Sequence, residues 1–354
     1  MIPKGFLKYM IRRSLSLFVS LVVAIYISIV LANLGGLVDE IIKADLLMSI
    51  TMQVRDNPAY KYLSASEKQE IINKLYQSAL EAKGLNTPFP IRSLYYLRDA
   101  LLFDFGRALY LTSDTGSKQV KLIILERLPQ TVMLFTTATL INFFLHLFGG
   151  LILARHYGSK IDKVIATLAP TSVIPGWVYG IFLILIFYSW LYLLPAGGMV
   201  DYPPPLDPIS YSLSVLKHMI LPLLSWILSG LFLGLYSSRT FFLIFSTEDY
   251  VEAAKAKGLP PRLVDRRYVL RPLLPSTITN LSFALIGSWG GAIITETVFD
   301  WPGLGRLMSV ALSYPDPPVI IGEVIIYAWL LMLTVLTLDV LYALLDPRIK
   351  IWGE

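Results

Sequence analysis

The chain has 354 residues, 55% of them hydrophobic and only 16% charged, against about 25% charged in a soluble domain. That balance excludes an ordinary soluble enzyme and points to a bilayer. Cysteine is absent, which rules out disulfides, thiolate metal sites and thiol nucleophiles; the net charge of +5 says little until its distribution is followed.

Lys4, Lys8, Arg12 and Arg13 precede an apolar run from Leu15 to Leu34. The run is too long for a signal-peptide core and no clear small-residue cleavage site follows, so an uncleaved first span is expected. A helix needs about 20 mainly apolar residues to cross the hydrocarbon core. Six stretches qualify: 14–35, 130–154, 164–194, 218–242, 276–297 and 319–345. The third and sixth are long enough to tilt, kink or project. Pro170 and Pro175-Gly176 predict a bend in the third. The expected fold class is an all-α membrane protein with six transmembrane helices.

Between the first two spans, 36–127 reads as a small helical insertion outside the membrane. Ser64-Ala65-Ser66-Glu67 is a capping-box pattern that opens a helix to about Lys83, where Gly84 stops it. Pro88 and Pro90 break the chain before a second helix over about 91–102. The expected boundaries are therefore 1–35 for the N-terminus and first span, 36–127 for the insertion, 128–345 for a five-helix core with a loop at 243–275, and 346–354 for a tail.

Basic residues orient the spans. The N-terminus, the 155–163 loop, the 239–271 loop and the tail hold sixteen Lys/Arg, while the short loops on the other side hold only Lys217 and Arg306. By the positive-inside rule both termini and the 243–275 loop face the cytoplasm. The insertion carries twelve basic residues in 36–127, but eleven acidic ones in 36–126 offset them and long translocated segments escape the rule.

No catalytic constellation is visible. There is no phosphate-binding G-x-x-x-x-G-K-[ST] loop and no H-E-x-x-H, and His146, His156 and His218 are scattered, reading as structural or interfacial groups. Gly287-Ser288-Trp289-Gly290 lacks the full nucleophile-elbow pattern and an evident base, which disfavours an intramembrane hydrolase. No metal, cofactor or nucleic acid is implied. In the fifth span Asn280, Ala284, Gly287, Gly291 and Thr295 recur at spacings of 4, 3, 4 and 4, one face of a helix. Close helix packing explains the small residues, and a polar path for solute is the functional reading. Glu296 and Asp339 are carboxylates in apolar surroundings, for which structural roles compete with transport roles. The candidates for a path are Asn280, Ser288, Thr295 and Glu296.

The 243–275 loop is the most informative segment. Glu252-Ala253-Ala254-Lys255-Ala256-Lys257-Gly258 has the form of a short helix with a defined stop. Ser246 and Thr247 stand before it as caps, Asp249 and Glu252 near its positive end, and Gly258 and Pro260 at its close. Arg262, Arg266, Arg267 and Arg271 follow, then Pro272-Leu273-Leu274-Pro275. The pattern predicts a rigid elbow able to pass a push from a docked partner to the membrane helices.

These residues resemble the signature loop of permease subunits of ATP-binding-cassette importers, and more narrowly the B-type subunit of the dipeptide/oligopeptide family. The resemblance rests on Asp104-Phe105-Gly106-Arg107, Leu125-Glu126-Arg127-Leu128-Pro129-Gln130-Thr131, Glu248-Asp249-Tyr250 through Gly258-Leu259, and Glu296-Thr297-Val298-Phe299 with Trp301-Pro302-Gly303-Leu304-Gly305-Arg306. Leu341-Tyr342-Ala343-Leu344-Leu345-Asp346-Pro347-Arg348 is similar as well, so about 97–350 is covered. Two stretches depart from the pattern: Tyr268-Val269-Leu270-Arg271 where the general loop has Ile-x-Leu-Pro, and Ala32-Asn33-Leu34-Gly35-Gly36 where many members have a Pro-Gly-Asp-Pro-like turn.

The resemblance implies a type I importer permease fold. It also implies, as partners, a second homologous permease subunit, two ATPase subunits that hydrolyse the ATP, an extracytoplasmic solute-binding protein, and surrounding lipid. Glu248, Asp249, Tyr250, Glu252, Ala253, Ala254, Gly258 and Arg262 would form the ATPase-coupling loop. The solute so implied is a dipeptide or oligopeptide, with oligosaccharides and then metal chelates as alternatives.

Overall fold

A computed structural model of the protein describes residues 4–33, 35–289 and 292–345. The expected tail at 346–354, and Gly291 of the predicted small-residue face, lie outside the described residues. All regular structure among the described residues is helical; the one extended pairing is an isolated bridge between Arg107 and Gln119.

Among the described residues four helices are long and apolar enough to cross a bilayer: Lys8–Asn33 within α1 (Lys4–Asn33), α5 (Val120–Arg155), α8 (Pro208–Ser246), and Pro317–Val340 within α14 (Pro317–Leu345). The predicted third span is a bent pair. Lys160–Val173, which contains α6 (Lys160–Leu168), meets Gly176–Trp190, which contains α7 (Gly176–Leu183), at 101°. Pro170 lacks an N–H, and Pro175 holds an extended backbone as N-cap of α7, so the helix turns there. The predicted fifth span, 276–297, is not one helix: α11 (Arg271–Ser288) stops, Ala292 is extended, and α12 (Ile293–Val298) starts afresh. The protein is a multi-pass membrane protein.

The described residues fall into two compact units. One is built on Arg13–Glu126 with Ala311–Met332, so the insertion shares its core with the first span and the start of the last. Leu21, Ile25 and Ile29 of α1 pack with Ala100 and Ile325. The helix predicted from the capping box is α3 (Ala65–Ala82): Glu67 N–H donates to Ser64 Oγ at 3.3 Å, and the Ser64 N–H donates back to Glu67 Oε2 at 2.8 Å. The second predicted helix is α4 (Phe89–Leu101). A third, α2 (Leu37–Asp56), adds to the two helices the sequence predicts; its Ile50 and Val54 pack on Ile72 of α3. Arg92 of α4 is buried in an ion pair with Asp39 of α2, beside the rings of Phe89 and Tyr96. Asp316, fully buried, accepts the N–H groups of Leu109, Tyr110 and Leu111 at 3.1, 2.9 and 3.1 Å and so fixes the strap after Gly106-Arg107.

The other unit is built on Arg127–Val310. Here α5 and α8 approach closely at glycines. A Cβ on Gly150 would lie 2.5 Å from Ser238 Cβ, and one on Gly149 2.5 Å from Leu235 Cδ2. Asp162 of α6 receives a two-pronged bond from Arg239 of α8, at 2.8 Å on each oxygen, with the guanidinium over the Tyr157 ring. A buried pair of this geometry locks two helices together, because removing one partner strands the other's charge.

Candidate functional site

The predicted coupling helix is α9 (Asp249–Ala256). Its start differs from expectation. Glu248 is the N-cap and makes no side-chain cap bond. Ser246 and Thr247 instead donate back to the carbonyls of Leu243 and Ile244 at the end of α8, at 2.8 and 2.9 Å. The hydroxyls finish the preceding helix because α8 runs on to Ser246, leaving one extended residue before α9. The stop is as predicted. Gly258 takes φ +72°, its N–H donates to Lys255 O at 2.9 Å, and Leu259 N–H reaches back to Ala254 O at 3.4 Å, the paired bonds of a Schellman ending.

The helix has two faces. Val251 and Ala254 are buried against Leu147, Phe242, Val264, Val269 and Leu273. Glu248, Asp249, Tyr250, Glu252, Ala253, Gly258 and Arg262 are exposed. An apolar seat fixes the helix, and its polar side with one tyrosine stays open. Behind it the predicted turn after Gly258 and the basic helix beyond it are present, but Pro272-Leu273-Leu274-Pro275 makes no separate break. α10 (Pro261–Val264), a wide π-type turn over Asp265–Leu270 and α11 follow without a break, with Pro275 inside α11. The wide turn sits where the Pro272 ring would otherwise meet the carbonyl four residues earlier. Arg155 at the end of α5 pairs with Asp265 in this turn. A stiff helical strut forms the far arm of the elbow.

The four predicted path residues separate. Asn280 and Ser288, both on α11, line a cavity of about 640 Å³. Thr139, Asn142 and His146 of α5 and Ser237 and Ser238 of α8 face it as well, and among the described residues no Asp, Glu, Lys or Arg lines it. Asn142 Oδ1 and His146 Nε2 are buried with no hydrogen-bond partner among the described residues. Room for these two side chains comes from α8: a Cβ on Gly230 would lie 3.4 Å from Asn142 Nδ2, and one on Gly234 would collide with the His146 ring. The glycine pair four residues apart was the overlooked signal. Ser288 Oγ donates to Leu285 O at 2.7 Å, an internal helix bond.

Thr295 and Glu296 are not among the cavity's lining residues. They lie buried on α12, and the predicted single face from Asn280 to Thr295 does not exist, because α11 ends at Ser288. Glu296 is the centre of a clasp. Its Oε1 accepts the Thr131 hydroxyl at 2.8 Å and its Oε2 the Arg306 N–H at 2.9 Å, while Leu304 N–H donates to Thr131 Oγ1 at 2.7 Å. Trp301 Nε1 donates to Gln130 O at 3.1 Å. A Cβ on Gly303 would collide with Thr131 and Glu296, and one on Gly305 would lie 2.8 Å from Ile293 N. The Gln130-Thr131, Glu296 and Trp301-to-Arg306 motifs, read separately along the chain, are one hydrogen-bonded unit.

Residues 146–351 match the family described as the binding-protein-dependent transport system inner membrane component. The chain belongs to this family. It is 29% identical to the oligopeptide transport system permease protein AppB of Bacillus subtilis (strain 168), over 77% of this chain and 84% of that protein. It is 30% identical to the dipeptide transport system permease protein DppB of the same organism, over 79% of this chain and 85% of that one. A solved structure, titled as inward-facing conformations of the MetNI methionine ABC transporter, covers 63% of this chain and 96% of its own at 14% identity and a TM-score of 0.49. As a member of this family the chain is a transport subunit.

Proposed function

We propose that the chain is a permease subunit of an ATP-binding-cassette importer of short peptides, working in the cell membrane with both termini in the cytoplasm. Family membership together with relatives named as oligopeptide and dipeptide permeases carries the cargo assignment. The excess of basic residues at the termini and in the 155–163 and 239–271 loops supports the orientation.

In this reading a second permease subunit completes the path, two ATPase subunits lie beneath, and a binding protein delivers the peptide from outside. The open side of α9, with Tyr250, Glu252 and Ala253, sits in a groove of an ATPase subunit, while its buried side transmits displacement through Val251 and Ala254. The continuous strut 261–288 carries the motion to the polar cavity, where Asn280 and Ser288 face the passing solute. ATP drives transport because it binds one state of the assembly better than the other. Thr295 and Glu296 hold α12 in place and do not touch the solute.

The test is uptake by proteoliposomes holding this chain, its partner permease and both ATPases, with the binding protein supplied outside. ATP-dependent accumulation of labelled dipeptide or oligopeptide is the expected result. Accumulation of an oligosaccharide in place of peptide overturns the cargo, and a complex that never recruits an ATPase overturns the importer.

A further inference from the structure

A second cavity, of about 370 Å³, lies wholly within the unit built on Arg13–Glu126 and Ala311–Met332, and the transport cycle above makes no use of it. Its floor is apolar: Ile29 of α1, Ile42 of α2, and Ile321 and Ile325 of α14 are buried or half-buried there. Its rim carries both signs of charge. Lys83 follows α3, Asp99 lies on α4, and Asp104 and Arg107 stand in the turn after it. Among the described residues neither cation pairs with either carboxylate; Asp99 is met by Arg98, and Asp104 Oδ1 accepts the Gly106 N–H, at 3.2 Å. Between floor and rim sits Asn33, 7% exposed. Its amide donates to Ile29 O at 2.8 Å, and its Oδ1 has no partner among the described residues.

The rim has two cations and two carboxylates, of which Asp99 is shared with Arg98 and Asp104 stands open, so a simple ion of either sign meets repulsion as well as attraction. A molecule that carries both charges gains from both pairs. The floor rewards a short apolar body. The bare Asn33 oxygen calls for an N–H donor, since a buried acceptor left unmet is costly. The size falls within the range of small-ligand sites.

We propose that this cavity binds a small zwitterion with an apolar body, its ammonium toward Asp99 and Asp104 and its anion toward Lys83 and Arg107. Two sources carry that chemistry, a short peptide with free termini and the head of a zwitterionic phospholipid. Only the peptide source rests on the cargo assigned above.

The test uses the intact permease complex without its binding protein, in nanodiscs of phosphatidylglycerol alone. Equilibrium dialysis with labelled leucyl-alanine, and with its N-acetyl amide, reads the peptide source. Native mass spectrometry after addition of phosphatidylethanolamine reads the lipid source. The expected result is saturable binding of one of the two zwitterions, weakened at least tenfold by Lys83→Gln with Arg107→Gln and again by Asp104→Asn, which keeps an acceptor for the Gly106 N–H. Asn280→Ala, in the other cavity, leaves this binding unchanged. Binding of both zwitterions that none of the rim variants alters, or equal binding of free and blocked peptide with no rim-dependent lipid, overturns the proposal. Uptake is measured on the same preparations: rim-dependent binding without peptide uptake defeats the cargo assignment and leaves the site standing.

Discussion

Glu296 and the α9 helix both lie within the stretch that matches the family, yet their surroundings are built on opposite principles. Around Glu296 every feature consumes freedom. The carboxylate is buried, both its oxygens accept hydrogen bonds, and Gly303 and Gly305 admit no side chain. In α9 only Val251 and Ala254 are buried, and the rest of the helix is open to solvent. A buried polar network pays off only when complete, so it serves to fix geometry. A surface helix on a two-residue seat keeps a face for a partner. The chain thus keeps rigidity at one site and availability at the other.

The contrast can be broken by substitutions in each region. The largest effect is expected from Glu296→Leu, which leaves the Thr131 hydroxyl and the Arg306 N–H without their acceptor; a loss of about 3 kcal/mol or more should appear as a large drop in thermal stability in detergent. Retention of full stability would show the clasp to be ornamental. Next, Gly303→Ala overpacks the Thr131–Glu296 contact and should cost about 1–3 kcal/mol, with uptake falling in step with folded protein. Gly258→Ala forces a side chain into φ +72° and should cost about 1 kcal/mol, seen as earlier proteolysis near α9.

Tyr250→Ala should move stability by less than about 0.5 kcal/mol, because the side chain is exposed. Its uptake should still fall at least tenfold and its peptide-stimulated ATPase rate with it. A fall in stability with unimpaired coupling would reverse the roles drawn here. The smallest effect concerns an exposed carboxylate. Glu67 is held below the ordinary glutamate range, first by the Ser64 hydroxyl and then by the Ser64 N–H. A carboxylate depressed in the fold stabilises it above the unfolded value, about pH 4.3, and that contribution is lost as pH falls through the lower folded value. Amide-exchange protection in the first turn of α3 should therefore decline below that pH in the native chain and be flat in Glu67→Ala.

Helices whose signals are local were legible. The capping box at Ser64 and Glu67 and the glycine stop at Gly258 both stand where the pattern put them, because each is made by residues within one turn. The bend in the third span follows from Pro170 and Pro175, whose effect is equally local. α2 is not legible in the sequence because its apolar and charged residues show no clean periodicity, and its packing on α3 supplies what the pattern lacks. The expected single span over 276–297 failed for the opposite reason. Its apolar composition continues while Glu296 and Gly305 pin α12 in a separate position.

Composition and basic-residue bias by themselves determined that this is a multi-span helical membrane protein, and the short motifs placed it among transport permeases, since hydrophobicity, charge and turn chemistry act over a few residues. What only the tertiary structure decided is which of those residues meet. Asn280 and Ser288 share a cavity with Asn142 and His146, whereas Glu296, close to them in sequence, is locked to Thr131, 165 positions away along the chain. A buried carboxylate or an unmet amide oxygen takes its meaning from the partner that folding brings to it, and pairings over that distance leave no periodicity to read.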